Sequence, residues 1–81
     1  MRTHTTRLAW HIACANGRHL ECEIHVVCDM GNALTYETHV FYNGDLIYIR
    51  SYATPEGAER EAEDVLNELR DAGWRLQTSV D

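Results

Sequence analysis

Residues 34–53 read LTYETHVFYNGDLIYIRSYA, and this stretch decides the fold. Two runs rich in β-branched and aromatic residues, 34–42 and 46–53, flank the dipeptide Asn43-Gly44. Asn-Gly between two such runs is the strongest short-range signal of a β-hairpin with a two-residue turn. The sequence therefore predicts two antiparallel strands, 34–42 and 46–53, joined by a tight turn.

The two-residue turn also predicts which residues face each other across this hairpin, because a slip of one residue reverses every side chain. On one face it pairs Val40 with Ile47 and Thr38 with Ile49. On the other face the predicted pairs are Phe41 with Leu46, His39 with Tyr48, and Glu37 with Arg50. An opposite-charge pair such as the last one contributes about 0.2–1 kcal/mol, which favours this register.

Two more alternating runs, 7–14 and 19–28, precede this hairpin. Apolar residues take every second position in both runs, which is the period of a strand. A three-residue loop with Gly17 in the left-handed region keeps these apolar residues on one face, whereas a two-residue loop would separate them. The resulting pairs are Ile12 with Leu20, Trp10 with Cys22, and Leu8 with Ile24.

A helix is predicted after the strands. Thr54-Pro55-Glu56 is a typical helix start, with an N-cap threonine, proline at the first helical position and an acid in the first turn. Apolar residues then recur at three- and four-residue steps over about 55–72, and Gly73 is a suitable C-cap. Residues 75–80 would add a short fifth strand.

The predicted fold class is α+β in a single domain spanning residues 1–81. It consists of a four-stranded antiparallel β-meander, built from two hairpins, with one amphipathic helix packed on one face. The other face would be polar. Its predicted rows across the strands are Arg7, His25, Glu37 and Arg50; Ala9, Glu23, His39 and Tyr48; and His11, Glu21, Phe41 and Leu46.

The composition argues against several functions. The 81 residues include thirteen acids, seven arginines and no lysine, for a formal charge of −6. We expect no direct nucleic-acid binding, because affinity for phosphate backbones comes mainly from clustered basic side chains. No signal-peptide pattern and no apolar run of membrane-spanning length is present, and three cysteines are an odd number for a disulfide framework. We therefore expect a cytoplasmic protein that does not contact a membrane.

The pattern His-x-x-Cys occurs three times, at His11/Cys14, His19/Cys22 and His25/Cys28. On a strand, residues three apart point to opposite faces, so these pairs cannot converge on one metal ion. We expect core cysteines and surface histidines, with no metal and no cofactor. No nucleophile elbow or glycine-rich phosphate loop is present, and the sequence does not predict an enzyme.

The predicted helix carries most of the net charge. Between Glu56 and Asp71, seven acids stand against two arginines, a net charge of −5. Five of the acids lie on the face away from the apolar stripe: Glu56, Glu59, Glu63, Asp64 and Asp71. This face is either a solvated surface with pairs four residues apart, or a negative strip that steers a basic protein partner.

A second candidate site lies on the predicted polar face. Aromatic and aliphatic side chains crowd onto its edge at the fourth strand, namely Phe41, Leu46, Tyr48 and Tyr52. Contiguous exposed apolar area usually marks an interaction site, with Tyr and Phe as common anchors. These side chains would anchor a partner or form a homodimer interface, unless the C-terminal tail covers them.

In its short length, acidic charge, meander-plus-helix organisation and lack of an active site, the chain resembles small phage-encoded inhibitors of the anti-CRISPR type. The resemblance includes no motif and transfers no functional residue. It implies a non-enzymatic protein-binding module that blocks a basic nucleic-acid-binding surface of a larger complex, in the host-cell cytoplasm. The sequence leaves three alternatives open: an immunity protein or antitoxin, a small homodimeric structural domain, and a His/Cys metal-binding protein.

Overall fold

The computed structural model describes residues 3–13, 17–28, 31, 33–73 and 75–76. The elements are β1 (Thr3–Ala13), β2 (His19–Cys28), β3 (Leu34–Tyr42), β4 (Asp45–Tyr52), α1 (Pro55–Asp71) and β5 (Arg75–Leu76). The strands form one antiparallel sheet in the order β4-β3-β2-β1-β5. The predicted α+β class, with four antiparallel strands and one helix packed against them, is confirmed.

Two elements differ from the prediction by more than one residue at one end. β1 begins at Thr3, four residues before the predicted start at residue 7, because its N-terminal half continues to pair with β2. The fifth strand is present over Arg75–Leu76, where it pairs with β1. The rest of the predicted fifth strand, 77–80, lies outside the described residues, as does Cys14.

The turn of the second hairpin has the predicted backbone. Asn43 and Gly44 have φ angles of 50° and 92°, in the left-handed region that a two-residue hairpin turn requires. Asn43 also holds the neighbouring strand, since its backbone N–H donates to the carbonyl of His19 at 2.9 Å. The Asn43 side-chain oxygen accepts from the backbone N–H of His19 at 2.9 Å. The tip of the second hairpin is thereby tied to the start of β2.

The register of the first hairpin is confirmed near its turn and wrong beyond it. Ile12 lies opposite Leu20 and Trp10 opposite Cys22, as predicted. The register then shifts between Leu8 and Trp10, so Leu8 lies opposite Glu23 and is 56% exposed. A β-bulge of this kind reverses the faces of the residues beyond it, and the predicted pair of Leu8 with Ile24 is replaced by a pair of Arg7 with Ile24.

The second hairpin contains a similar bulge. Phe41 lies opposite Leu46 as predicted, but the register shifts between Val40 and Phe41, and Ile47 is the extra residue of β4. The predicted pairs Val40–Ile47, Thr38–Ile49, His39–Tyr48 and Glu37–Arg50 are therefore wrong. The observed pairs are Val40 with Tyr48, His39 with Ile49, Thr38 with Arg50, and Glu37 with Ser51.

The core lies between α1 and the face of the sheet that carries the buried apolar residues, which we call the covered face. Its buried members are Trp10, Ile12, Leu20, Cys22, Ile24, Val40, Ala58 and Ala62. Ala58 and Ala62 are one helical turn apart, and their small side chains let α1 approach the sheet closely. The helix therefore lies across the face predicted for it.

Two hydrogen bonds fix the position of α1 along the sheet. The indole Nε1–H of Trp10 donates to the carbonyl of Ala62 at 2.8 Å. One turn earlier, the fully buried hydroxyl of Thr38 donates to the carbonyl of Ala58 at 2.8 Å. Because both bonds reach backbone atoms of α1, the helix cannot slide without leaving buried polar groups unpaired, and such groups are costly.

Candidate functional site

The outer face of α1 presents a row of carboxylates to solvent, which we call the acidic strip. Its members Glu56, Glu59, Glu63, Asp64 and Asp71 are all exposed. The helix begins as predicted, because the Thr54 side chain accepts a hydrogen bond from the N–H of Gly57 at 3.2 Å. The strip thus extends over the whole of α1, from its first turn to its last.

One member of the acidic strip contacts the sheet. Arg7 Nη2 lies 2.8 Å from Glu59 Oε2, and both side chains are more than half exposed, at 56% and 57%. An exposed pair of this kind is worth about 0–1 kcal/mol. Within the described residues, no other acid of α1 forms an ion pair, so most of the strip is available to an external cation. The sequence did not predict this pair, because Arg7 comes onto the helix side through the bulge in β1.

The predicted apolar patch at the sheet edge does not form one surface, and that prediction is wrong. The bulge in β4 turns Tyr48 and Tyr52 to the covered face, where both pack against the core. Phe41 and Leu46 stay on the opposite face, called the open face below, where Leu46 is 48% exposed. The interface predicted for a homodimer is therefore divided between two sides of the sheet.

Tyr48 instead lines a groove between α1 and β4 of about 620 Å³. Apolar and aromatic side chains form its floor, namely Leu20, Val40, Tyr42, Tyr48, Val65 and Leu69. Its rim carries Ile47 and Arg50 from the strand, and Glu61, Asp64 and Glu68 from the helix. The groove combines an apolar floor with a rim of net negative charge, and Asp64 belongs both to the groove and to the acidic strip.

Glu61 is the acid of this groove that contacts Tyr52. Partial burial is the largest cause that raises the pKa of its carboxyl above the ordinary value, followed by the negative charges of Asp64 and Glu68. The hydroxyl of Tyr52 donates to Glu61 Oε1 at 2.9 Å. The carboxylate at this position therefore lacks a compensating positive charge, and a cation in the groove would stabilise it.

Replacing Glu61 with glutamine tests this electrostatic description. A carboxyl whose pKa is higher in the folded than in the unfolded state keeps its proton to a higher pH when folded. The free energy of unfolding therefore falls as the pH rises through the range of these two pKa values. Glutamine does not titrate and keeps an oxygen that accepts from Tyr52. The urea midpoint of Glu61→Gln is expected to exceed that of wild type at pH 7 and to match it at about pH 3, where carboxyls are protonated. Equal midpoints at both pH values would contradict the description.

All five histidines of the chain lie on the open face of the sheet: His4, His11, His19, His25 and His39. The rings of His25 and His39 are stacked, with centroids 3.7 Å apart and planes 9° apart. His25 Nε2 lies 2.9 Å from Glu23 Oε1, and His39 Nε2 lies 2.9 Å from Glu37 Oε1. The histidines are thus paired with acids or with one another.

The predicted rows of this face are partly confirmed. The row of His11, Glu21, Phe41 and Leu46 is as predicted. In the other two rows, the pairs between β2 and β3 are correct and the outer members are wrong. Thr6 and Ser51 take the places predicted for Arg7 and Arg50, and Leu8 and Ile49 take those predicted for Ala9 and Tyr48. Both errors come from the bulges.

The His-x-x-Cys repeats do not form a candidate site. Cys22 is fully buried on the covered face, whereas His19 lies on the open face. Burial, followed by the nearby charges of Glu23 and Glu61, raises the pKa of the Cys22 thiol to about 12, which disfavours the thiolate needed for nucleophilic chemistry. In the part of the chain that the structure describes, no group of three or more His, Cys, Asp or Glu side chains is arranged to hold a metal ion.

Comparisons of the chain with known protein families, with curated proteins and with solved structures found no match. The described helix, α1, is neither long nor apolar enough to cross a membrane. The candidate site is therefore defined by the geometry and charge of α1 and of the groove beside it.

Proposed function

We propose that the protein is a non-enzymatic protein-binding module and that the acidic strip of α1 is its contact surface for a basic partner. The observation that carries this proposal is the row of five exposed carboxylates, only one of which is paired within the described chain. Charges of one sign on one surface steer association with a partner of the opposite sign and exclude partners of the same sign.

The length of the strip is compatible with a nucleic-acid-binding surface as its target. Glu56 and Asp71 are fifteen residues apart, which corresponds to about 22 Å along a helix at roughly 1.5 Å per residue. Duplex DNA rises about 3.4 Å per base pair, so the strip equals the length of about six base pairs. The protein would act as an acidic inhibitor that occupies a basic nucleic-acid groove, as inhibitors of the anti-CRISPR type do. An immunity protein or antitoxin that faces a basic toxin belongs to the same class.

A competition experiment tests this function. The chain is used as bait in lysate of its native host, and the captured protein is purified and tested for nucleic-acid binding by mobility shift. We expect a basic protein whose nucleic-acid complex is lost when the chain is added at a stoichiometric amount. As the control, a chain with the strip reversed by Glu59→Lys, Glu63→Lys and Asp64→Lys is expected not to displace the nucleic acid. A partner that keeps its nucleic acid in a saturating excess of wild-type chain would refute inhibition.

A further inference from the structure

β4 is the edge strand of the described sheet on the side away from β5. Within the described residues, it pairs with β3 alone, and β5 joins the sheet at the opposite edge, beside β1. The outward N–H and C=O groups of an edge strand are a template for pairing with another extended chain. The bulge at Ile47 and the charge of Arg50 are the features of β4 that oppose uncontrolled pairing.

The groove opens beside this edge. Among the strands, β3 and β4 have the most extensive contacts with α1, so the helix lies close above this side of the sheet. Glu61, Asp64 and Glu68 are spaced three and four residues apart, and this spacing places them along one side of the helix. A strand added to β4 would continue the covered face, and every second side chain of it would point towards these three acids.

The chemistry of the groove favours arginine on that side of the added strand. The rim carries three carboxylates and one guanidinium, that of Arg50, so its net charge is negative. Arg50 shows in addition that the aromatic floor accepts a cation, because its guanidinium carbon lies 5.6 Å from the ring centroid of Tyr48. A second arginine would donate paired hydrogen bonds from its guanidinium to these carboxylates. Its methylene groups would pack on the apolar floor.

We infer that an extended, arginine-bearing segment of a protein partner adds to the edge of β4 as a new strand and places its arginine side chains in the groove between α1 and β4. This inference rests on the proposed function in that the partner is a basic protein. It adds the mode of binding, which combines main-chain pairing with a side-chain pocket.

The first test uses an eight-residue capped peptide of alternating arginine and threonine, with affinity measured by calorimetry and the site located by amide chemical shifts. Two further peptides carry backbone N-methyl groups, either on the arginines or on the threonines. In an added strand, only one of these two sets of N–H groups points towards β4. We expect one N-methylated peptide to bind at least ~10-fold more weakly and the other within ~3-fold of the parent, since a lost interfacial hydrogen bond costs about 1 kcal/mol and several would be lost together. Equal affinities for all three peptides would overturn the strand addition.

The second test compares two variants with identical changes in composition and charge. The groove variant carries Glu61→Gln and Glu68→Gln, and the control carries Glu21→Gln and Glu37→Gln on the open face. We expect the groove variant to bind the unmodified peptide at least ~10-fold more weakly and the control to lose less than ~3-fold, because hydrogen bonds between charged groups contribute more than distant charges.

The outcomes separate this inference from the proposed function. Equal losses in the two variants, or no binding of the peptide by wild type, would overturn the groove as the binding site. The proposed function is tested separately, by the displacement of nucleic acid from the native partner. Chemical shifts confined to β4 and to the groove side of α1 would support the inference, and shifts confined to the open face would overturn it.

Discussion

Replacing Trp10 with alanine is expected to lower the free energy of unfolding by about 3–5 kcal/mol. The Trp10 side chain is 7% exposed, belongs to the core and donates its indole N–H to the carbonyl of Ala62. Alanine would leave a cavity between the sheet and α1 and would remove one of the two hydrogen bonds that hold the helix in place. Small domains have about 5–15 kcal/mol of total stability, so this change removes a large part of it. Equilibrium urea denaturation measures the loss.

Leu8→Ala is the matched control for this prediction, because the two residues lie in the same strand. The sequence pattern predicts that both side chains are buried, whereas the structure places Leu8 outside, 56% exposed. Leu8→Ala is therefore expected to change the free energy of unfolding by less than about 0.5 kcal/mol. Comparable losses for Trp10→Ala and Leu8→Ala would contradict the bulge in β1. Trp10→Phe removes the hydrogen bond together with part of the buried ring, and its loss is expected to lie between those of Leu8→Ala and Trp10→Ala.

Reversing three charges of the acidic strip is expected to weaken partner binding by at least ~100-fold, since like charges placed against each other cost several kcal/mol. The variant carries Glu59→Lys, Glu63→Lys and Asp64→Lys, all at exposed positions. Its fold is expected to persist with a loss of less than about 1 kcal/mol, because the pair of Arg7 with Glu59 is a surface pair. Calorimetry with the purified partner gives the affinity, and urea denaturation gives the stability.

A control variant separates the position of the charge from its amount. Glu21→Lys, Glu23→Lys and Glu37→Lys together produce the same change in net charge and leave α1 intact. This control is expected to keep its affinity within ~10-fold of wild type, because charges on the opposite face are screened over a Debye length of about 10 Å. Equal losses in the two variants would mean that net charge, rather than the strip, governs binding.

The elements of the fold could be predicted because their signals are local. The two-residue hairpin turn requires positive φ at two successive residues, and Asn43-Gly44 adopts it readily. The start of α1 depends only on Thr54 and the first turn of the helix. The pairing of β2 with β3 also followed from the sequence, because both strands alternate without interruption and a slip of one residue would turn one apolar set away from the core.

The candidate site could be predicted only in part, because two bulges decide its composition. The acidic strip follows from helical periodicity and the charges of α1. Whether Arg7, Tyr48 and Tyr52 face the helix depends on one extra residue in β1 and one in β4, which sequence alternation does not reveal. The bulges are favoured by tertiary contacts, since they place Arg7 beside Glu59 and Tyr48 in the floor of the groove.

The salt dependence of partner binding is the most direct test of the claim that the acidic strip is the contact surface. The dissociation constant is measured between about 50 and 500 mM salt for wild type and for the variant with Glu59→Lys, Glu63→Lys and Asp64→Lys, because screening weakens exposed charge interactions over this range. We predict that wild-type binding weakens steeply with salt, and that the variant binds more weakly and loses this dependence. An unchanged dissociation constant with an unchanged salt dependence in the variant would contradict the claim.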